Sequence, residues 1–256
     1  MRGELCVGFA SVLSFVALLL LIFVHVGQIN TSTVPRGIAM AKVNMSGYGQ
    51  ALAAAFNPDP INDLYTSNAS APIGVQAGLR QIYEFGLYSH CAYVNKTAGR
   101  CSNTTVANKF LPYDAVISDM AMNYSQATDI ILKGTTFHNS GYLGTQSKAA
   151  YYLILLGSIC TALALFTGVI KRTVAFFISS SLAVLGSFLL LVGAALWTVM
   201  IKKTEAVNDK TVTLGQSAIP IIMVSAGPGL FLTWAAFACL AVSIVPYMLS
   251  CCTFRG

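Results

Sequence analysis

The sequence predicts a membrane-embedded all-α four-helix bundle with a small extracellular antiparallel β-sheet cap, α+β overall. Two observations predict the bundle. Charged residues are only 9% of the 256 positions and hydrophobic ones 55%, against about 25% charge in an ordinary soluble domain; mean hydropathy is +0.68. Asp, Glu, Lys and Arg are also absent from four long windows, Leu5–Pro35, Ala149–Ile170, Thr173–Ile201 and Thr211–Phe254. Each can hold the roughly 20 apolar residues that cross a hydrocarbon core as a helix. A third observation predicts the sheet: the polar segment between the first two windows contains the alternating run Leu79–Val94. A chain so poor in charge would show water a continuous apolar surface, which excludes a cytosolic enzyme, a collagenous chain and a disordered acidic chain.

The first span is Val7–Val26. Its apolar core of about 20 residues exceeds the roughly 7–15 of a signal peptide, and His25, Val26 and Gly27 offer no clean small-x-small cleavage site, so it reads as an uncleaved anchor. The second span is Ala149–Ile170. Only Lys171 and Arg172 separate it from the third window, which makes the two helices antiparallel neighbours. That third window has 29 residues, about 43 Å as a helix, so it must tilt or project beyond a core of about 30 Å. The fourth span, Leu230–Leu249, follows Gly227-Pro228-Gly229 and carries Pro246, expected to loosen its last turns. The resulting organisation is residues 1–27 (terminus and first helix), 28–148 (large loop), 149–201 (second and third helices), 202–229 (short loop) and 230–256 (fourth helix and tail).

In the large loop, Leu79, Tyr83, Phe85, Leu87, Cys91 and Tyr93 are expected on one face of a half-buried strand. Gly99 can turn the chain into a second strand. Pro112-Tyr113-Asp114 opens a helical pattern running through Leu132. In the short loop, Ile219–Val224 reads as an edge strand broken by Pro220. Glycosylation triplets begin at Asn44, Asn68, Asn95, Asn103 and Asn123, all between the first two spans, and such sites are surface loops of exported segments. They set the large loop outside and both termini in the cytoplasm. Arg2, Lys171, Arg172 and Arg255 then obey the positive-inside rule, whereas Lys148, Lys202 and Lys203 do not.

Of the seven cysteines, only Cys91 and Cys101 lie in the loops, and an oxidising compartment should bridge them. Cys251 and Cys252, just past the fourth span, are palmitoylation candidates, with Cys6 placed similarly at the first. No charged residue lies inside a span, unlike transporters that bind or relay ions there. His25, near the outer end of the first span, reads as a packing or interfacial residue. The large loop carries eight Lys and Arg against six Asp and Glu, which is no nucleic-acid surface. Asp114 and Asp119 lack a companion base and read as solvated charges. No metal, cofactor or small-molecule substrate is expected. Small residues recur every four positions at Ser179, Ala183 and Ser187, and at Ala164/Gly168 and Ala235/Cys239, as faces for close helix packing.

The segment Gly86-Leu87-Tyr88-Ser89-His90-Cys91, followed by Cys101, resembles the claudin pattern G-L-W-x-x-C with a second Cys eight to ten residues on; Tyr88 stands where that family usually has Trp. The large loop between the first two spans distinguishes the chain from tetraspanins. Phe85–Cys91, Phe110-Leu-Pro-Tyr-Asp and the terminal Ser-Ile-Val-Pro-Tyr-Met-Leu-Ser-Cys-Cys are similar to the fungal Sur-seven/PalI family within the claudin-like superfamily. The resemblance implies a non-catalytic plasma-membrane protein of eisosome-like cortical domains, with roles in cell-wall organisation and endocytosis. Its partners would be membrane lipids and lateral protein partners, or further copies at the cell cortex. The chain ends seven residues after the fourth span, so a tail-dependent pH-signalling role is not expected. An auxiliary channel or transport regulator, or a mating or fusion tetraspan, are the alternative functions.

Overall fold

The computed structural model describes residues 2–56, 61, 63–170, 173–214 and 217–253. Its elements are, in chain order, α1 (Arg2–Val26), α2 (Thr33–Gly37), β1 (Ala41–Asn44), α3 (Tyr48–Phe56), β2 (Ile82–Phe85), β3 (His90–Tyr93), β4 (Gly99–Cys101), α4 (Pro112–Asp119), α5 (Met122–Leu132), α6 (Ser140–Gly168), α7 (Thr173–Thr204), β5 (Thr211–Leu214), β6 (Ser217–Pro220), β7 (Met223–Ala226) and α8 (Pro228–Thr253). Four of these helical stretches are long and apolar enough to cross a membrane: Cys6–Val26, Ser140–Gly168, Val174–Asp209 and Pro228–Met248. The second begins at Ser140, well ahead of the apolar window at Ala149, because Ser140–Lys148 has no helix breaker after Gly144 and continues the same hydrogen-bond ladder. α8 runs through Pro246 to Thr253.

The chain forms two compact units. One is made of α1 to His25, α6 from Ala149, α7 to Leu196, and α8 from Leu230. Its helices meet on small residues. A Cβ on Gly157 would lie 2.8 Å from the Leu190 side chain, one on Gly193 2.8 Å from that of Ile154, and one on Gly168 2.7 Å from the Tyr247 ring. In lipid, where packing rather than water exclusion drives association, such approaches supply the contact. Ser179, Ala183 and Ser187 are all buried, and Ser179 Oγ donates to the Ala164 carbonyl of α6 at 2.6 Å. On α8 the buried stripe is Ala236, Leu240, Ser243 and Tyr247, one position away from the Ala235/Cys239 pair expected there; Ala235 is exposed. Buried hydroxyls find partners: Ser14 Oγ lies 3.3 Å from both Ser243 Oγ and Tyr247 Oη. His25 Nε2 lies 3.0 Å from Ser158 Oγ, which gives this histidine a packing role.

The second unit holds residues 26–148 and 197–229. Its five-stranded sheet has the order β4-β3-β2-β1-β7, every pair antiparallel. Leu79–Val94 is therefore a hairpin, β2 and β3, and not one strand. Phe85 pairs with His90, and directly opposed residues share a face, so the parity of the buried face reverses across the turn. Tyr83 and Phe85 face one way with Ala92; Cys91 and Tyr93 face the other way, with Glu84 and Ile82. The expectation of one common face fails for this reason, although all six residues are buried. The return turn is Asn95–Ala98, where the Asn95 side chain accepts from Thr97 N and Ala98 N, and Gly99 lies in β4. A Cβ there would run into the Ala92 carbonyl.

Two strands change the expected sheet. β1 was not marked by the sequence pattern, being four residues long, yet it sits beside β2 and β7. The expected strand Ile219–Val224 is broken at Pro220: Ile219 and Pro220 end β6, which pairs with β5 in a separate two-stranded sheet, and after the buried Ile221 and Ile222 the chain enters the five-stranded sheet as β7. β7 leaves one edge open, and the Asn208 amide closes it: Nδ2 donates to the Val224 carbonyl at 2.8 Å and Oδ1 accepts from Val224 N at 2.6 Å. A side-chain amide thus takes the place of a further strand and blocks edge pairing.

Asp119, expected to be solvated, is fully buried. Its Oδ2 accepts from Arg80 Nη1 at 2.7 Å and from Tyr83 Oη at 2.9 Å, and its Oδ1 accepts from Gly74 N at 2.6 Å. The Asp119 carbonyl accepts from Gly78 N and that of Ser118 from Gln76 N. Carbonyls engaged in this way are lost to a helix, and Met120 and Ala121 are extended. This splits the expected helix Pro112–Leu132 into α4 and α5. Burial together with the Asp119 carboxylate pushes the Tyr83 phenol well above its usual range.

Replacing Asp119 by Ala leaves the Arg80 guanidinium buried without its counter-charge. Destabilisation of about 3–5 kcal/mol is expected, read as a fall in thermal midpoint of the purified protein. An unchanged midpoint would show that water reaches Arg80.

Candidate functional site

The family-motif residues and the two loop cysteines converge on the β2–β3–β4 hairpins. Cys91 and Cys101 face each other across β3 and β4 and form a disulfide. Gly86 opens the β2–β3 turn, which closes by Gly86 N donating to the Ser89 carbonyl at 2.9 Å. A Cβ on Gly86 would lie 2.5 Å from the Gly27 carbonyl oxygen and 2.9 Å from the Gln28 Cβ. The chain just after α1 therefore crosses directly over this turn, and only glycine leaves room. Leu87 is buried, Tyr88 is half-buried, and the Tyr88 carbonyl accepts from Thr105 N at 2.7 Å.

Gln28 is the residue that this crossing serves. Its backbone is left-handed, with φ of 58°, and its side chain is fully buried. Nε2 donates to Glu84 Oε2 at 2.8 Å and to the Arg36 carbonyl at 2.7 Å. Oε1 accepts from Tyr93 Oη at 3.1 Å. The Gln28 carbonyl accepts from Ser89 Oγ and lies 3.1 Å from Cys91 Sγ. Glu84 is balanced by Lys42 Nζ at 2.7 Å. The Gly-Leu-Tyr-Ser-x-Cys segment is thus a cradle for residue 28, with each polar atom of the glutamine matched, as burial demands. Sequence reasoning missed Gln28, because its side-chain partners on the sheet, Glu84 and Tyr93, lie 56 and 65 positions away in the chain.

Beside β4 and α4 lies an open cleft of about 840 Å³, lined by His90, Arg100, Ser102, Asn103, Thr105 and Asn108 with the start of α4. His90 stacks on Phe85, ring centroids 5.5 Å apart. Its Nε2 and Asn108 Nδ2 are buried without a hydrogen-bond partner. Burial lowers the His90 pKa below its ordinary 6.5, and the Asp119 carboxylate opposes this to a smaller extent. Arg100 Nη1 donates to the Ser70 carbonyl at 2.9 Å, and Asp114 accepts from Ser140 Oγ at 2.8 Å. Among the described residues no three His, Cys, Asp or Glu side chains converge as metal ligands.

Asn44, Asn68, Asn95, Asn103 and Asn123 are all exposed in this unit. A further triplet, Asn30-Thr31-Ser32, meets the same rule and was overlooked in the sequence; it lies close after α1 and is also exposed. In four of the six triplets the Asn side chain accepts from the backbone N–H two residues on, each at 2.9 Å: Asn30, Asn44, Asn68 and Asn95. The side chains of Cys251 and Cys252 lie outside the described residues.

Cys91→Ser should cost the loop unit about 2–4 kcal/mol, and Gly86→Ala about 1–3 kcal/mol by pushing Gly27–Gln28 off the turn. Both are read from thermal melts followed by loop tyrosine fluorescence; a Gly86→Ala protein as stable as the parent would refute the crossing described above. His90 gives a pH dependence. Its folded pKa is lowered, so the unfolded chain binds the proton first, and stability falls as pH drops below 6.5. Melts at about pH 7.5 and about pH 5 should differ less in His90→Gln than in the parent; equal differences would remove His90 as the cause.

No curated protein matches the chain by sequence. The family model described as SUR7/PalI matches residues 6–246. That match begins in the first span, takes in the Gly86 cradle and the Cys91–Cys101 bridge, and ends in the last turns of the fourth span. A chain matched over nearly its whole length, with four membrane-crossing helices and a small antiparallel sheet, belongs to the SUR7/PalI family of tetraspan membrane proteins.

Proposed function

We propose that this chain is a non-catalytic plasma-membrane tetraspan that organises an eisosome-like cortical domain and supports cell-wall and endocytic organisation. The observation that carries this reading is the stapled sheet unit. It holds a disulfide and every glycosylation triplet, both of which belong to an exported compartment. In this reading the loop 28–148 faces the wall, both termini are cytoplasmic, and Cys251 and Cys252 sit where acylation anchors a helix end. The helices present many large apolar side chains outward, among them Phe166, Val174, Phe177 and Phe188, a surface suited to lipids and to lateral partners or further copies.

A fluorescent fusion at the C-terminus tests the localisation: static cortical patches are expected, and an endoplasmic-reticulum or vesicular pattern with full expression would overturn it. In the same cells, glycosidase treatment should lower the apparent mass, and hydroxylamine-sensitive labelling should be lost in Cys251→Ser/Cys252→Ser. An unchanged mass removes the orientation, and unchanged labelling removes the acyl sites. Ion conduction by the purified protein in a bilayer would favour the channel-regulator alternative instead.

A further inference from the structure

We propose that the cleft beside β4 and α4 is the seat of the first sugars of an N-glycan carried by Asn103, so that this glycan is a packed part of the loop unit. The inference rests on the reading that the loop is exported. Attachment itself is ordinary chemistry: the Asn103 amide nitrogen displaces a lipid pyrophosphate from the anomeric carbon of the oligosaccharide, forming a C–N bond and releasing the lipid pyrophosphate and a proton.

Four observations place the sugar in the cleft. The first is the tether. Asn103 is exposed and is itself a lining residue, together with Thr105 of the same triplet; the other five triplet asparagines do not line it. A ligand held by so short a link is present at an effective concentration of about millimolar, so weak contacts suffice. The second is size. About 840 Å³ lies within the roughly 300–1,000 Å³ that small ligands fill.

The third is chemistry. His90 Nε2 and Asn108 Nδ2 are buried without a partner, a state that is unfavourable unless something else completes it. The amide nitrogen needs an acceptor, and the imidazole can take either role. Both residues line the cleft, so a small side-chain rotation brings these atoms to the acetamido and hydroxyl groups of an N-acetylglucosamine, which provide both roles. The charged residues of the lining are Arg100, Lys109 and Asp114; Arg100 donates to the Ser70 carbonyl and Asp114 accepts from Ser140, so the unmet atoms of the cleft wall are the neutral ones of His90 and Asn108, which a neutral polar sugar can satisfy. The fourth is an apolar patch beside the tether. Val106 is 71% exposed and lines the same cleft, where the C–H face of a pyranose ring would cover it.

The test uses the full chain purified in detergent from the cell surface. A peptide-N-glycosidase converts each released Asn to Asp, and the tryptic peptide Cys101–Lys109 reports Asn103 alone among the triplets. Native protein should release the Asn103 glycan about tenfold more slowly than that of Asn68, the effect of one or two net hydrogen bonds. After denaturation the two rates should agree. Val106→Ser/Asn108→Ala should abolish the native protection while the Cys91–Cys101 bridge still forms; if that protein does not fold, Val106→Ser alone, at an exposed position, should weaken the protection. Equal native rates would overturn the inference. So would an unmodified Asn103 with Asn68 occupied, which leaves the orientation standing; no occupied triplet at all would overturn both.

Discussion

The Asp119 carboxylate is the group around which the loop unit is arranged. A buried carboxylate is tolerated only when charge and hydrogen bonds surround it, and here the requirement draws in three separate stretches of chain: Gly74, Arg80 with Tyr83, and the end of α4. Meeting it has consequences at a distance. It stops α4, separates it from α5 by the extended Met120 and Ala121, and holds Gly74–Gly78 against Ser118 and Asp119. Gly74 and Ser118 are also lining residues of the cleft beside β4, so the same carboxylate shapes one wall of that site.

The opposite face of the sheet has its own polar centre at Gln28. Tyr83 points to Asp119, while Glu84, its neighbour in β2, points the other way to Gln28 and Lys42. A sheet whose strands are only three or four residues long buries too little to set its register by apolar area alone. Two buried polar centres, one on each face, make a slip by one residue costly, because every matched group would turn to the wrong side. The disulfide adds a covalent restraint between β3 and β4, next to the Gln28 carbonyl. The spans are held differently. There the contacts are glycine and small hydroxyl residues that let helix backbones approach, with hydroxyl protons returned to carbonyls of the same or a neighbouring helix.

The spans were legible because they answer to a solvent rule. A hydrocarbon core excludes charge over a fixed thickness, so a charge-free window of sufficient length identifies a span without any tertiary information. Cys91 and Cys101 were legible by counting, since no other cysteines share the loops. The small-residue repeat Ser179–Ala183–Ser187 also named the packed face of α7, whereas Ala235/Cys239 missed that of α8. Small side chains permit close approach but do not require it, and Ala236, Leu240, Ser243 and Tyr247 fill the contact instead.

What the sequence by itself determined is the count and place of the membrane helices, the two-cysteine bridge and the family motif, all of which depend on composition or on residues close together in the chain. The tertiary structure alone decided that Leu79–Val94 folds back on itself, that Asp119 lies inside rather than in solvent, and that Gly86 is glycine for the sake of Gln28. The last two depend on a partner far away in the chain: Arg80 is 39 positions from Asp119, and Glu84 is 56 from Gln28. A buried polar pair leaves no periodic trace, because neither member reveals its burial until the other is placed beside it.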